Sequence, residues 1–126
     1  MSKYVDGFVL VVPKDKISEY KKMAEGGRDM WMKYGALEYY EACGVDLVPQ
    51  EMGGEKARAF TEMAGAKKDE TVWFSFIIFK SKAHRDEVNA KVMEEMNKQM
   101  KDFEDMKMPF DMKRMAYGGF QVEVEG

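Results

Sequence analysis

The 126-residue sequence contains one cysteine, Cys43, and one histidine, His84. A lone cysteine cannot close an internal disulfide and suits a reducing, cytoplasmic setting. One histidine and one distant cysteine are too few soft ligands for a stable zinc or haem-iron site, so neither a metal nor a cofactor is expected. The same shortage excludes a Ser-His-Asp set. His84 stands between Lys82 and Arg85 at a helix start, where an ordinary exposed histidine is the plainer reading. Cys43 follows Glu41 and Ala42 and lacks a neighbouring base or cation, which favours a buried structural thiol over a nucleophile. No glycine run matches a P-loop or a dinucleotide fingerprint. No apolar run approaches the ~20 residues of a membrane helix. Met1 to Asp6 leads directly into a strand pattern, with no signal peptide expected ahead of it. Basic charge is also short: 20 Lys and Arg against 23 Asp and Glu give a net charge of -3. Phosphate binding leans on a basic surface, so nucleic acid is not an expected partner.

The rest of the composition is that of an ordinary soluble protein, 45% hydrophobic and 34% charged. The length fits one domain over residues 1–126, burying roughly two-thirds of its unfolded surface. Thirteen methionines add side chains that fill irregular gaps or line adaptable pockets.

The strongest local signal runs from Thr71 to Phe79, where nearly every residue is β-branched or aromatic and only Ser75 is polar within it. Alternate strand residues face opposite ways, so this strand has two faces to bury. Tyr4–Val12 is a similar first strand, closed by Pro13. Asp15 is placed to cap the helix that follows. Ile17, Tyr20, Met23, Ala24, Met30, Trp31 and Tyr34 form its apolar stripe. Gly26 and Gly27 within it mark a kink, a break or a close approach, and Gly35 ends it. Ala36–Cys43 reads as a second strand, with Glu38, Tyr40 and Ala42 on one face and Leu37, Tyr39, Glu41 and Cys43 on the other. Gly44–Glu70 reads as a long loop with a short helix around Phe60–Ala64. Ser81 can cap a further helix whose stripe is Val88, Val92, Met96, Met100 and Phe103. Met108–Asp111 breaks the pattern, and Arg114–Val124 is a last strand with Gly118-Gly119 marking a bulge, a bend or a close neighbour.

The order β-α-β-β-α-β favours an α+β ferredoxin-like sandwich, a four-stranded antiparallel sheet with two helices on one face. That architecture leaves the other sheet face bare, yet the first and third strands are apolar on both sides. A homodimer pairing sheet to sheet is the favoured cover, and the long loop folding over the face is its rival.

Three stretches resemble one family when taken together. They are Gly35-Ala36-Leu37-Glu38-Tyr39, the segment from Glu70 to Met93, and Met108-Pro109-Phe110-Asp111 followed by Lys113-Arg114-Met115 and Gly118-Gly119-Phe120. The pattern resembles the YbaA-like family of bacterial proteins, a domain of unknown function in the dimeric α+β barrel superfamily. The resemblance covers nearly all of the chain except the loop after Gly44, and it implies the dimeric barrel. Relatives in that superfamily include cofactor-independent monooxygenases, haem-degrading enzymes and muconolactone isomerase-like enzymes, which use a cavity between sheet and helices. A histidine is expected before the glycine in many YbaA-like relatives, where Tyr34 stands here.

Polar residues set among apolar strand neighbours are the candidates for chemistry: Asp6, Glu38, Glu41, Ser75, Arg114 and Gln121. A buried charge must be paired, and Arg114 is expected to pair with Asp111 or Glu38 in a structural or interface bridge. The functional alternative is a carboxylate acting as base in an apolar cavity. Glu38 is the leading candidate, with Tyr34 as a second proton-handling group. Trp31, Tyr40, Trp73, Phe110, Met112 and Tyr117 would line the pocket, and Arg114 would hold an anionic oxygen. Core packing is the plainer role for each aromatic. These readings give two functions. One is a small-molecule-binding protein or cofactor-free monooxygenase- or isomerase-like enzyme acting on an apolar, aromatic or quinone-like ligand. The other is a non-catalytic dimeric structural, stress or regulatory module.

Overall fold

The structure, a computed structural model, describes residues 2–99 and 108–126. Strands β1 (Tyr4–Pro13), β2 (Glu38–Cys43), β5 (Glu70–Phe79) and β6 (Ala116–Gln121) form an antiparallel sheet in the order β2-β5-β1-β6. Helices α1 (Ile17–Lys33) and α3 (Lys82–Lys98) complete the ferredoxin-like α+β fold. The hairpin β3 (Glu51–Met52) and β4 (Glu55–Lys56) and the short helix α2 (Phe60–Ala64) occupy the long connection. Among the described residues no helix is long and apolar enough to cross a membrane.

The two long strands lie side by side at the centre, Tyr4 opposite Phe79 through Pro13 opposite Glu70, because both need cover on two faces. On the helix side Leu10, Val12, Trp73, Ile77 and Phe79 are buried against Tyr20 and Ala24 of α1 and Val88 and Val92 of α3. Met96 packs against the same cluster. Met100 and Phe103, expected to extend the α3 stripe, lie outside the described residues.

Several local expectations change. A 3-10 turn at Lys14–Lys16 precedes α1, so Asp15 sits inside the turn and makes no capping bond. Helix α1 runs unbroken through Gly26 and Gly27 and ends at Tyr34, with Gly35 following at φ +112°. Ser81 caps α3 as expected, its hydroxyl accepting from the His84 N–H at 3.1 Å. His84 is half-buried rather than exposed: its Nδ1 accepts from the Lys80 N–H at 3.0 Å, and its ring lies edge-on to Phe79. The Gly118-Gly119 pair answers to close neighbours. The Tyr4 hydroxyl lies against Gly119 on one face, and the Phe120 ring spans Gly7 and Gly118 on the other.

Among the described residues, the face away from α1 and α3 is covered at one end only. There α2 packs on β1 and β5, Phe60 meets Phe74 with centroids 6.2 Å apart, and Val11 and Val72 are buried. The remainder is an open apolar trough of about 660 Å³ floored by Val5, Val9, Phe74, Phe76, Ile78 and Phe120.

Candidate functional site

One of the cross-strand rows that the sheet presents to the helices is Glu41, Ser75, Phe8 and Tyr117, one residue from each strand. Glu41 is therefore inward, and Ser75, the polar residue inside the third sequence strand, stands directly opposite it. Tyr20 enters from α1 and Tyr39 from the neighbouring row. The Tyr20 hydroxyl donates to Glu41 Oε1 at 2.8 Å, the Tyr39 hydroxyl to Oε2 at 2.7 Å, and the Ser75 hydroxyl also to Oε1. A carboxylate offers about four acceptor positions, so among the described residues these three bonds leave one, on Oε2.

Burial first, and then the charge of Glu41, push the Tyr20 and Tyr39 hydroxyls well above the usual phenol range. Both are therefore fixed as donors at neutral pH. The cluster faces a cavity of about 120 Å³ whose other walls are apolar, among them Phe8, Leu10, Trp31, Ile77 and Met115. That is close to the ~150 Å³ that admits a benzene-sized molecule. Glu41 and Tyr39, with Tyr40, also border a second cleft of about 270 Å³ that lies between α1 and β2.

Trp31 is held over the cavity from outside. Its indole N–H donates to Asn89 Oδ1 at 2.9 Å, and the Asn89 amide donates to Asp6 Oδ2 at 3.3 Å. Asp6 is 1% exposed, and Arg85 pairs with it at 2.8 Å while also donating to the Tyr117 hydroxyl at 2.9 Å. Asp6 is thus a buried charge with the partner it requires. Asn89 and Arg85 carry no signal in the sequence, because only the packing of α3 on β1 brings them to Asp6.

The residues expected to form the site are scattered. Trp31 and Tyr40 line the cavity, but the Tyr40 hydroxyl turns away to Glu38 at 3.0 Å. Glu38 is exposed on the outer face of the edge strand. Tyr34 donates its hydroxyl to Glu95 Oε1 of α3 at 3.0 Å, where α1 meets α3 and apart from the Glu41 cluster. Trp73 is buried against Tyr20 and borders the outer cleft. Phe110 packs edge-on to Tyr20, and Tyr117 against Phe8 at 4.8 Å. Met112 is exposed. Arg114 does not pair with Asp111 or Glu38. It forks onto both oxygens of Glu70, at 2.8 and 2.9 Å, and donates to the Gly65 carbonyl, tying the last strand to the start of β5. Asp111 instead accepts from the Lys113 N–H. Burial pushes the Cys43 thiol up, away from reactivity. Among the described residues no group of three or more His, Cys, Asp or Glu could hold a metal ion.

Residues 3–112 match the family described as "Protein of unknown function (DUF1428)". The chain belongs to this family. It is 42% identical to "Uncharacterized protein YbaA" of Escherichia coli K12 over 98% of both chains. The protein of the same name from Shigella flexneri matches equally well. Among solved structures, all of the chain aligns with 28% of a Bacillus cereus protein related to NIF3, at a TM-score of 0.37 and 16% identity. That likeness is too distant for anything to rest on it.

Proposed function

We propose that the protein binds a small apolar or aromatic molecule bearing a hydroxyl group in the cavity under Trp31, and that Glu41 accepts the hydrogen bond of that hydroxyl. One observation carries this reading. A carboxylate stands in an otherwise apolar cavity, surrounded by hydroxyl donors, with one acceptor position free on Oε2. An O–H donor of the ligand completes its shell, and Phe8, Leu10, Trp31, Ile77 and Met115 suit the ligand's apolar body. As acceptor of the ligand's hydroxyl, Glu41 would orient it for an isomerase-like reaction, or for a cofactor-free monooxygenase-like one with dioxygen as the oxidant. This assigns the ligand's hydroxyl to Glu41 rather than to the exposed Glu38 or to Tyr34. The open apolar trough supports a homodimer paired sheet to sheet, as in dimeric α+β barrels.

A second reading is favoured by the same cluster. Three hydroxyl bonds nearly satisfy Glu41 without any ligand, as in a non-catalytic structural or regulatory module.

Native mass spectrometry of protein purified gently from cells separates the two. A small-molecule adduct on the wild type that disappears in a folded Glu41→Gln variant supports the ligand site. A bare mass in both, with no rise in melting temperature from any small phenol, overturns it in favour of the module.

A further inference from the structure

We propose that the cleft between α1 and β2 is the outer half of the same site and holds an acidic group, so that the ligand is an amphipathic organic anion of the hydroxyaryl carboxylate kind. The inference rests on reading the Glu41 cavity as a ligand site. The two spaces are neighbours: Tyr39, Tyr40 and Glu41 border both. The inner space is apolar apart from the Glu41 cluster, whereas the outer one carries charge.

Lys21, Glu25 and Arg28 follow one another at spacings of four and three on α1 and so share one face along the cleft. That wall carries two cations against one carboxylate, and the second carboxylate of the cleft, Glu41 on β2, is already bonded by three hydroxyls. Among the described residues Lys21 makes no ion pair, and Arg28 commits only its Nε, to Asp29 at 3.0 Å. The terminal nitrogens of the Arg28 fork remain for a carboxylate, which they match in geometry. Arg28 lies near enough to the cluster for its charge to oppose the upward push on the Tyr39 hydroxyl.

A molecule with a hydroxyl at one end, a ring in the middle and a carboxylate at the other matches the Glu41 cluster, the apolar walls and the Arg28 fork together.

Isothermal titration of the full chain with 3-(4-hydroxyphenyl)propanoate, its uncharged amide and 4-ethylphenol tests the assignment. The acid is expected to bind about fivefold or more tightly than the amide at low salt, as a charge-assisted contact at a partly exposed site gives. A folded Lys21→Ala, Arg28→Ala double variant should bring the two within about twofold of each other, and added salt should do the same to the wild type. Equal binding of acid and amide by the wild type, or a gap that survives the double variant, overturns the anionic subsite. If the amide and 4-ethylphenol then still bind in a Glu41-dependent way, the cavity reading stands without it. Should none of the three bind, both fall together.

Discussion

A Cβ placed on Gly27 would stand 2.9 Å from the hydroxyl oxygen of Tyr39. The helix α1 carries this glycine where Tyr39 must pass beneath it to reach Glu41. Gly26, beside it, has nothing within 4 Å of such a Cβ. Gly26→Ala should therefore stabilise the protein by up to about 1 kcal/mol through helix propensity alone. Gly27→Ala should forfeit that gain by pushing the Tyr39 hydroxyl off the carboxylate. Combining it with Tyr39→Phe should recover the gain, a coupling that urea denaturation of the two singles and the double will read. Additive effects would mean that Tyr39 does not depend on Gly27.

The Tyr20 and Tyr39 phenols should ionise well above the ordinary range. Phenolate absorbance in an alkaline titration should rise for the exposed tyrosines first, with these two appearing only as the protein unfolds. Burial is the leading cause, with the charge of Glu41 second. Glu41→Gln should thus lower both without making them ordinary, and should destabilise the fold by about 1–3 kcal/mol by mismatching hydroxyl donors with an amide.

Glu70 titrates at about 2 in the folded chain against an ordinary 4.5, because Arg114 and the Lys67 N–H bond its carboxylate. A depressed folded value contributes stability that is fully present above the unfolded pKa and is lost as pH falls towards 2. Arg114→Gln should lower the melting temperature at pH 7. The gap from the wild type should narrow steadily between about pH 4.5 and 2. A gap constant across that window would show that the Arg114–Glu70 fork is not what the variant removed.

Phe120 is 61% exposed on the open trough, so replacing it should leave the isolated fold nearly unharmed. Phe120→Asp should convert a dimer to a folded monomer in sedimentation velocity at micromolar concentration. A wild type already monomeric there would remove the sheet-to-sheet dimer.

Several features were legible in the sequence because they are set by neighbours along the chain. The strand and helix periods, the short helix at Phe60–Ala64, the Ser81 cap and the Gly35 stop all depend on residues a few positions apart. Of the two covers expected for the second sheet face, the long connection supplies a part: among the described residues α2 lies over one end and leaves the rest open. The choice between Glu38 and Glu41 was harder. The two lie on opposite faces of β2, and each face carries a tyrosine, so alternation separates them without saying which side is inward. One signal pointed to Glu41: Ser75, a polar residue in a strand buried on both faces, needs a polar partner across the sheet.

The sequence alone determined the four strands of the main sheet, the two long helices, their order and the need for cover on both faces of the central strands. Periodicity and capping are local, and burial of apolar area does not depend on which partner supplies it. Only the tertiary structure decided the site. Register set Glu41 opposite Ser75, the crossing of α1 brought Tyr20 and Gly27 to it, and α3 brought Arg85 and Asn89 to Asp6. The hydrogen bonds among them join residues 21 to 83 positions apart, and over such distances along the chain only the packed geometry selects a partner.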